Sequence, residues 1–146
     1  MAEAPSLTIH LFSFGFKYSG PPEDQSGNGG GFVFDCRSLP NPYWDEALRP
    51  HSGLEAPIRE FMEGHPEVSV FAEGAAGMVL NAARVYKERE YTSMIVAFGC
   101  TGGRHRSVYQ AERLRTTLEA AGYRVKTNHL DVDRRPEDAG SEKPRP

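Results

Sequence analysis

Residues 93–121 decide the fold, and they read SMIVAFGCTGGRHRSVYQAERLRTTLEAA. The first six form an almost continuous apolar run, which is typical of a strand buried on both faces of a sheet. After a glycine-rich turn, apolar residues recur every three or four positions from Arg104 to Ala121, which predicts an amphipathic helix ended by Gly122. A β-like segment follows at 123–130, so the stretch predicts a strand–helix–strand unit of a parallel sheet.

The residues before this unit extend it into a larger domain. Runs of β-forming apolar residues predict strands at 7–14 and 32–36. Apolar residues spaced three and four apart predict helices at 57–62 and 66–90. We therefore predict one α/β domain over residues 1–130, with three layers and a mainly parallel central sheet.

Two segments fall outside this packed pattern. Residues 20–31 are rich in Gly and Pro, which predicts a flexible loop. Residues 131–146 are charged and Pro-rich, which predicts a disordered tail. The 146 residues, 38% of them hydrophobic, suffice for one core but not for two ordinary domains.

Composition argues against several classes of protein. The formal net charge of -3 does not suit a dedicated nucleic-acid binder. No secretory signal is evident, and no apolar run approaches the roughly 20 residues that cross a bilayer. The two cysteines, Cys36 and Cys100, form no disulfide framework, and reduced thiols predict a cytoplasmic protein. Because His51, His65 and His129 lack partners at ligand spacing, we expect neither a metal site nor a cofactor.

Residues 100–107, CTGGRHRS, are the strongest candidate site, because they join a buried strand to the first turn of a helix. Free N–H groups and the positive end of the helix dipole converge there on one point. Gly102 and Gly103 allow the backbone to curl so that its N–H groups face inward. The side chains that can add charge or hydrogen bonds are those of Thr101, Arg104, His105, Arg106 and Ser107. The loop is predicted to bind a phosphorylated small molecule or an inorganic anion; the alternative is a tight turn with solvated arginines.

The same residues allow a catalytic hypothesis. Cys100, Gly103 and Arg106 have the spacing of the cysteine phosphatase signature, in which a thiolate attacks phosphorus. Asp45 or Asp131 would then serve as the general acid. In the competing interpretation, Cys100 is a small buried residue that closes a strand, and the loop only binds.

Other residues are expected near this loop. Lys17 either reaches the ligand or is solvated. Asp35 and Arg37 either orient ligand hydroxyls or pair with one another, and we favour pairing. Tyr43 and Trp44 either stack on a sugar or base, or anchor a stiff Pro-rich loop.

Four motifs also resemble one known family over nearly the whole chain. They closely resemble the C-terminal domain of the RapZ family of RNase adapter proteins, and their order along the chain is the same. The motifs are SFGFKY at 13–18, FVFDCRSLPNPYW at 32–44, LRPHSGL at 48–54 and GCTGGRHRSVY at 99–109.

The resemblance implies a non-catalytic sensor domain that binds an amino-sugar phosphate such as glucosamine 6-phosphate. The resemblance also implies that full-length members bind small regulatory RNAs and self-associate as homo-oligomers. By matching position, Thr101, Gly102, His105 and Arg106 would hold the sugar phosphate, and Tyr43 stands where some members have His.

The chain departs from the family in two respects. The family's N-terminal P-loop domain is expected to be absent. The glycine-rich residues 27–31 cannot replace it, because no Gly-Lys-Ser/Thr follows them. Nucleotide hydrolysis is therefore not expected. The family's strongly basic C-terminus is replaced by a tail of mixed charge, which weakens the case for tight RNA binding.

Overall fold

The computed structural model describes residues 6–27 and 30–134. These residues form four strands, three α-helices and a short 3₁₀ helix at Pro42–Trp44. The elements in chain order are β1 (Thr8–Gly15), β2 (Gly31–Asp35), α1 (Ala56–Glu63), α2 (Pro66–Glu88), β3 (Ser93–Cys100), α3 (Arg106–Ala120) and β4 (Arg124–His129). Each predicted strand and helix is present, with ends that shift by a few residues.

The four strands form one sheet in the order β2-β3-β1-β4, and every neighbouring pair is parallel. The predicted α/β class with a parallel sheet is therefore confirmed. The unit β3-α3-β4 is also present, but β1 lies between its two strands. Because all four strands are parallel, their carboxyl ends lie at one edge of the sheet.

The helices form one layer rather than two. Each of the three contacts the other two, which helices on opposite faces of a sheet cannot do. The connections β2-β3 and β3-β4 step across the sheet in the same direction, so right-handed crossovers place α1, α2 and α3 on one face. The connection β1-β2 steps the other way and contains no helix. Instead, its residues 23–26 line a cavity with Phe12 and Ile95 on the opposite face.

The core lies between the sheet and the helices. Alternate residues of the two central strands point into it and are fully buried, among them Ile9, Leu11, Met94, Val96 and Phe98. Burial of each such side chain contributes about 1.5–3 kcal/mol to folding. Within the described ranges, no helix has the length and apolarity needed to span a bilayer.

The packed chain extends beyond the predicted boundary at residue 130. Asp131, expected in the disordered tail, is 1% exposed, and its carboxylate accepts hydrogen bonds from the N–H groups of Gly15 (2.7 Å) and Ser19 (3.2 Å). We therefore place the end of the packed domain after Asp131. Residues 135–146 of the predicted tail lie outside the described residues, as do Asn28 and Gly29 of the predicted flexible loop.

Candidate functional site: an anion-binding loop

The candidate loop lies at the carboxyl edge of the sheet, where parallel α/β sheets place their ligands. Its first residue, Cys100, ends β3, and its last residues begin α3. Two hydrogen bonds tie the loop to the chain after β1: Phe16 N–H to Cys100 O at 2.8 Å, and Lys17 N–H to Thr101 O at 3.2 Å. The loop is therefore fixed from the strand, helix and neighbouring turn together.

The backbone curls at Gly103, which has a positive φ of 79°. The inner side of the curl packs directly on β1, because a Cβ at Gly103 would lie 2.5 Å from the Gly15 nitrogen and 2.9 Å from the Asp131 Cβ. A Cβ at Gly15 would in turn lie 2.7 Å from the carbonyl of Gly102. Only glycine fits at Gly103 and Gly15, so the predicted role of glycine in shaping the loop holds for Gly103.

The curl and the start of α3 leave backbone donors available. Among the hydrogen bonds of residues 6–27 and 30–134, none is donated by four N–H groups of this segment: those of Gly102, His105, Ser107 and Val108. The first N–H groups of a helix have no partner within it and carry the positive end of its dipole. Helix N-termini with such free donors are typical anion-binding positions.

The loop borders a small recess of about 10 Å³. That volume is close to what one water molecule requires. The residues that line it are Asn41, Tyr43, Cys100, Thr101, Gly102, Arg104, His105 and Arg106. The predicted ligand-binding residues Gly103, Ser107 and Lys17 do not line it. The recess can therefore hold one phosphoryl oxygen or one water, with the rest of a ligand outside.

Arg106 is the most deeply buried charge of the loop, at 1% exposure. Its Nη1 donates to the carbonyl oxygens of Arg37 (3.0 Å) and Leu39 (3.1 Å), and its Nη2 lies 3.5 Å from Thr101 Oγ1. The guanidinium thus joins the segment after β2 to the loop. It keeps one edge toward Thr101, which also lines the recess.

Arg104 and His105 hold the neighbouring segment 49–51 in place. Arg104 donates to the carbonyl oxygens of Arg49 and Pro50, both at 3.2 Å. His105 Nε2 lies 2.6 Å from the carbonyl oxygen of His51. Because the carbonyl oxygens of His51 and Arg49 both lie near Nε2 of His105, that nitrogen carries the proton in the neutral imidazole. These side chains position the loop more than they reach outward.

Burial is the main reason that the pKa of His105 falls to about 4, with the nearby Arg104 charge lowering it further. The unfolded chain binds a proton on this imidazole as pH falls below about 6.5, whereas the folded chain does not until about pH 4. Folding stability should therefore decrease as pH falls through this window, by at most about 3 kcal/mol. Urea unfolding between pH 7 and 4 measures it. His105→Gln should flatten this part of the profile, and an unchanged slope would contradict the assignment.

Cys100 is 2% exposed, and its sulfur contacts the loop itself. The N–H of Gly103 donates to Sγ at 3.3 Å, and Ser107 Oγ lies 3.1 Å from it. Neither candidate general acid lines the recess. The carboxylate of Asp45 is exposed and accepts from the N–H of Ala47, and that of Asp131 is fully occupied elsewhere. This geometry favours binding over phosphoryl transfer.

Asp131 supports the loop by fixing the turn after β1. Its carboxylate accepts from Gly15 N–H, from Ser19 and from Arg134 Nε. Burial alone would raise the pKa of Asp131, but these hydrogen bonds outweigh it and the pKa is lowered. The charged carboxylate therefore fixes the turn on which Gly103 packs.

Asp131→Asn should remove part of this support. We expect a loss of about 1–3 kcal/mol of unfolding free energy at neutral pH, because an amide cannot accept all these hydrogen bonds. The lowered pKa means that the contribution is present above the ordinary carboxyl pKa and disappears as pH falls through the folded value. Denaturant unfolding at pH 7 checks it, with Asp133→Asn as an exposed control. Equal losses in both variants would contradict this role.

Sequence reasoning missed one residue of the recess, Asn41. It caps the 3₁₀ helix Pro42–Trp44 by accepting from the N–H of Tyr43 at 3.1 Å. An Asn before a Pro at a helix start is a recognisable cap signal. The cap turns the Pro-rich segment so that Tyr43 meets the loop.

Cations stacked on aromatic rings surround the same edge of the sheet. The guanidinium of Arg37 lies 4.0 Å from the Phe16 ring centroid, and that of Arg49 4.5 Å from the Tyr43 centroid. A third pair joins Arg134 to Tyr18 at 4.6 Å, and Lys17 lies 5.9 Å from the same ring. Arg37 also pairs with Asp35 at 2.7 Å, as the favoured interpretation predicted.

Comparisons with known proteins identify relatives of the chain. Residues 7–133 match the family described as RapZ C-terminal domain. A nucleotide-binding protein of Laribacter hongkongensis is 42% identical over 135 residues, which cover 92% of this chain and 46% of that protein. Nucleotide-binding proteins of Haemophilus influenzae and Corynebacterium jeikeium are 42% and 38% identical, over 88% and 91% of this chain and 43% and 44% of their own lengths. The chain spans less than half the length of these curated relatives, and it belongs to the RapZ C-terminal domain family.

Proposed function

We propose that this domain is a sensor that binds the phosphate group of a small metabolite, an amino-sugar phosphate such as glucosamine 6-phosphate. One observation carries the proposal: among the described residues, four N–H groups of the loop and of the first turn of α3 donate no hydrogen bond, and the buried guanidinium of Arg106 lies in the same turn. A phosphate dianion accepts hydrogen bonds from such N–H groups. It is also attracted by the guanidinium and by the positive end of the helix dipole.

The shape of the recess favours a ligand whose phosphate enters while the sugar stays outside. The volume of about 10 Å³ excludes a whole sugar phosphate. Tyr43 and Asn41 border the opening and offer a ring face, a hydroxyl and an amide to a sugar. Stacking of Arg49 on Tyr43 and donation from Arg49 Nε to Tyr43 O at 2.8 Å hold this ring in position. The phosphate therefore supplies most of the affinity, and the rim supplies selectivity.

Calorimetric titration with glucosamine 6-phosphate tests the proposal. Saturable binding should appear, with glucosamine alone not binding and inorganic phosphate binding more weakly. Tyr43→Ala should weaken the sugar phosphate but leave inorganic phosphate nearly unchanged. Equal affinity for glucosamine with and without phosphate would contradict the role of the loop.

A phosphatase assay separates binding from catalysis. The chain should not hydrolyse an aryl phosphate, because the recess at Cys100, of about 10 Å³, does not admit a whole phosphoryl group and neither candidate acid lines it. Turnover that disappears in Cys100→Ser would instead identify a cysteine-dependent phosphatase. Binding without turnover supports the sensor.

The stacked cations favour a second candidate function, RNA binding at the rim. Arg37, with 49% of its side chain exposed, and Arg134, with 46%, lie on aromatic rings that bases could also contact. Aromatic rings and cations together are typical of surfaces that bind single-stranded nucleic acid. The RNA would lie over the opening of the recess.

Binding of a short hairpin RNA at several salt concentrations tests this second function. Affinity should fall steeply with salt, and Arg37→Ala should lower the salt slope by about one. Arg84→Ala, on the exposed face of α2, is the matched control and should leave the slope unchanged. Flat or undetectable binding near physiological salt would exclude this function.

A further inference from the structure

Two cysteines meet at the base of the anion-binding loop. The sheet register pairs Asp35 with Gly99, so the next residues, Cys36 and Cys100, stand opposite each other. The strands are still joined at this point, because Cys36 N–H donates to Gly99 O at 2.7 Å. Neighbouring strands lie about 4.8 Å apart, within the Cα separation of about 4.4–6.8 Å that a disulfide spans.

Both side chains also lie on the same face of the sheet. Two residues earlier, the rings of Phe34 and Phe98 stack on the helix-facing side with centroids 5.1 Å apart. Side chains alternate along a strand, so Cys36 and Cys100 occupy the next row of that side. Both belong to the buried core, and both are free thiols.

We propose that Cys36 and Cys100 are a modification site, at which a small hydroperoxide oxidises the pair to a reversible intramolecular disulfide. Cys100 lines the recess beside the loop, whereas Cys36 is fully buried, so the oxidant reaches Cys100 first. The Gly103 N–H donates to its sulfur at 3.3 Å, and Ser107 Oγ lies 3.1 Å from it, so both groups are in place to hydrogen-bond the sulfur during the reaction.

The chemistry proceeds in two balanced steps. The Cys100 thiolate attacks hydrogen peroxide: an S–O bond forms, the O–O bond breaks, and the departing hydroxide takes the thiol proton as water. The Cys36 sulfur then attacks the Cys100 sulfur: an S–S bond forms, the S–O bond breaks, and hydroxide leaves with the Cys36 proton as a second water. Burial is the main reason that the pKa of Cys36 is raised, with neighbouring Cys100 raising it further, so Cys36 stays a thiol while Cys100 is oxidised first.

Oxidation at this pair would alter the anion-binding loop. Cys100 begins the loop, and Cys36 precedes the two carbonyl groups, of Arg37 and Leu39, that hold the Arg106 guanidinium. Drawing the two sulfurs to about 2.05 Å displaces both segments. This consequence rests on the proposed function, whereas formation of the disulfide does not.

The test treats the purified chain with hydrogen peroxide. The free thiol count should fall from two to zero, the intact mass should fall by two hydrogen atoms, and peptide mapping should join the peptides of Cys36 and Cys100. Dithiothreitol should reverse all three changes. The oxidised chain should also lose at least tenfold in affinity for glucosamine 6-phosphate and recover it on reduction.

Single variants keep the proposal falsifiable. In Cys36→Ala, dimedone should trap a sulfenic acid at Cys100; in Cys100→Ala, Cys36 should stay unmodified. Thermal unfolding of both reduced variants confirms that they fold. Irreversible sulfinic acid at Cys100, a disulfide between chains, or two persistent thiols would overturn the proposal. If the disulfide forms but the reduced chain binds no phosphate compound, only the proposed function fails.

Discussion

Gly103→Ala is expected to lower the free energy of unfolding by about 2–5 kcal/mol and to abolish anion binding. Two costs add. A Cβ in the left-handed region costs about 1–2 kcal/mol, and overpacking a filled site costs about 1–3 kcal/mol. Both apply because φ is 79° and the added atom would lie 2.5 Å from the Gly15 nitrogen. Denaturant unfolding and calorimetric titration measure the two effects.

Gly122→Ala is the matched control for this substitution. Gly122 also has a positive φ, of 91°, but a Cβ there meets nothing within 4 Å. Its loss should be limited to the conformational cost of about 1–2 kcal/mol, with anion binding retained. If Gly103→Ala is no more destabilising than the control, the loop does not pack on β1 as described.

Arg106→Ala is expected to weaken binding of glucosamine 6-phosphate by about 10- to 100-fold. Losing a charge-assisted hydrogen bond to phosphate costs about 1.5–3 kcal/mol, and each 1.4 kcal/mol corresponds to a tenfold change in affinity. The variant also leaves the Arg37 and Leu39 carbonyls without this donor, so the segment after β2 loosens. Titration measures affinity, and thermal unfolding without ligand confirms that the variant folds.

Arg115→Ala provides the control in the same helix. Arg115 pairs with Glu112 and Glu119 on the surface of α3, at 2.7 and 2.8 Å. Exposed pairs of this kind contribute about 0–1 kcal/mol, and affinity for the sugar phosphate should not change. Similar losses of affinity in the two variants would indicate a general electrostatic effect rather than a built site.

The strand, loop and helix of the site could be predicted because their signals are local. An apolar run, two glycines and a three-to-four periodicity define β3, the turn and α3 within one stretch of sequence. The same stretch contains Gly103, whose positive φ needs glycine, and Arg106, which lines the recess. Local patterns therefore suffice to predict the strand, the turn and the helix that form the loop.

The remaining features depend on contacts between distant residues. The strand order makes the connections β2-β3 and β3-β4 step in the same direction, which places all three helices on one face, and no local pattern encodes that order. Asp131 resembles the start of a charged tail until the N–H of Gly15, 116 positions away, gives it a partner. Arg104 and His105 line the recess, but no local pattern predicts that both also hold the carbonyl groups of residues 49–51.

In the proposed function, backbone N–H groups at the N-terminus of α3 hold a phosphate. Titration of the ¹⁵N-labelled chain with glucosamine 6-phosphate, followed by amide NMR shifts, tests it most directly, with glucosamine as the control. We expect the amide signals of Gly102, His105, Ser107 and Val108 to shift together and to saturate with one affinity. The same signals should stay unchanged with glucosamine, or when Arg106→Ala is titrated. Saturable shifts confined to other parts of the chain, with these four amides unmoved, would contradict it.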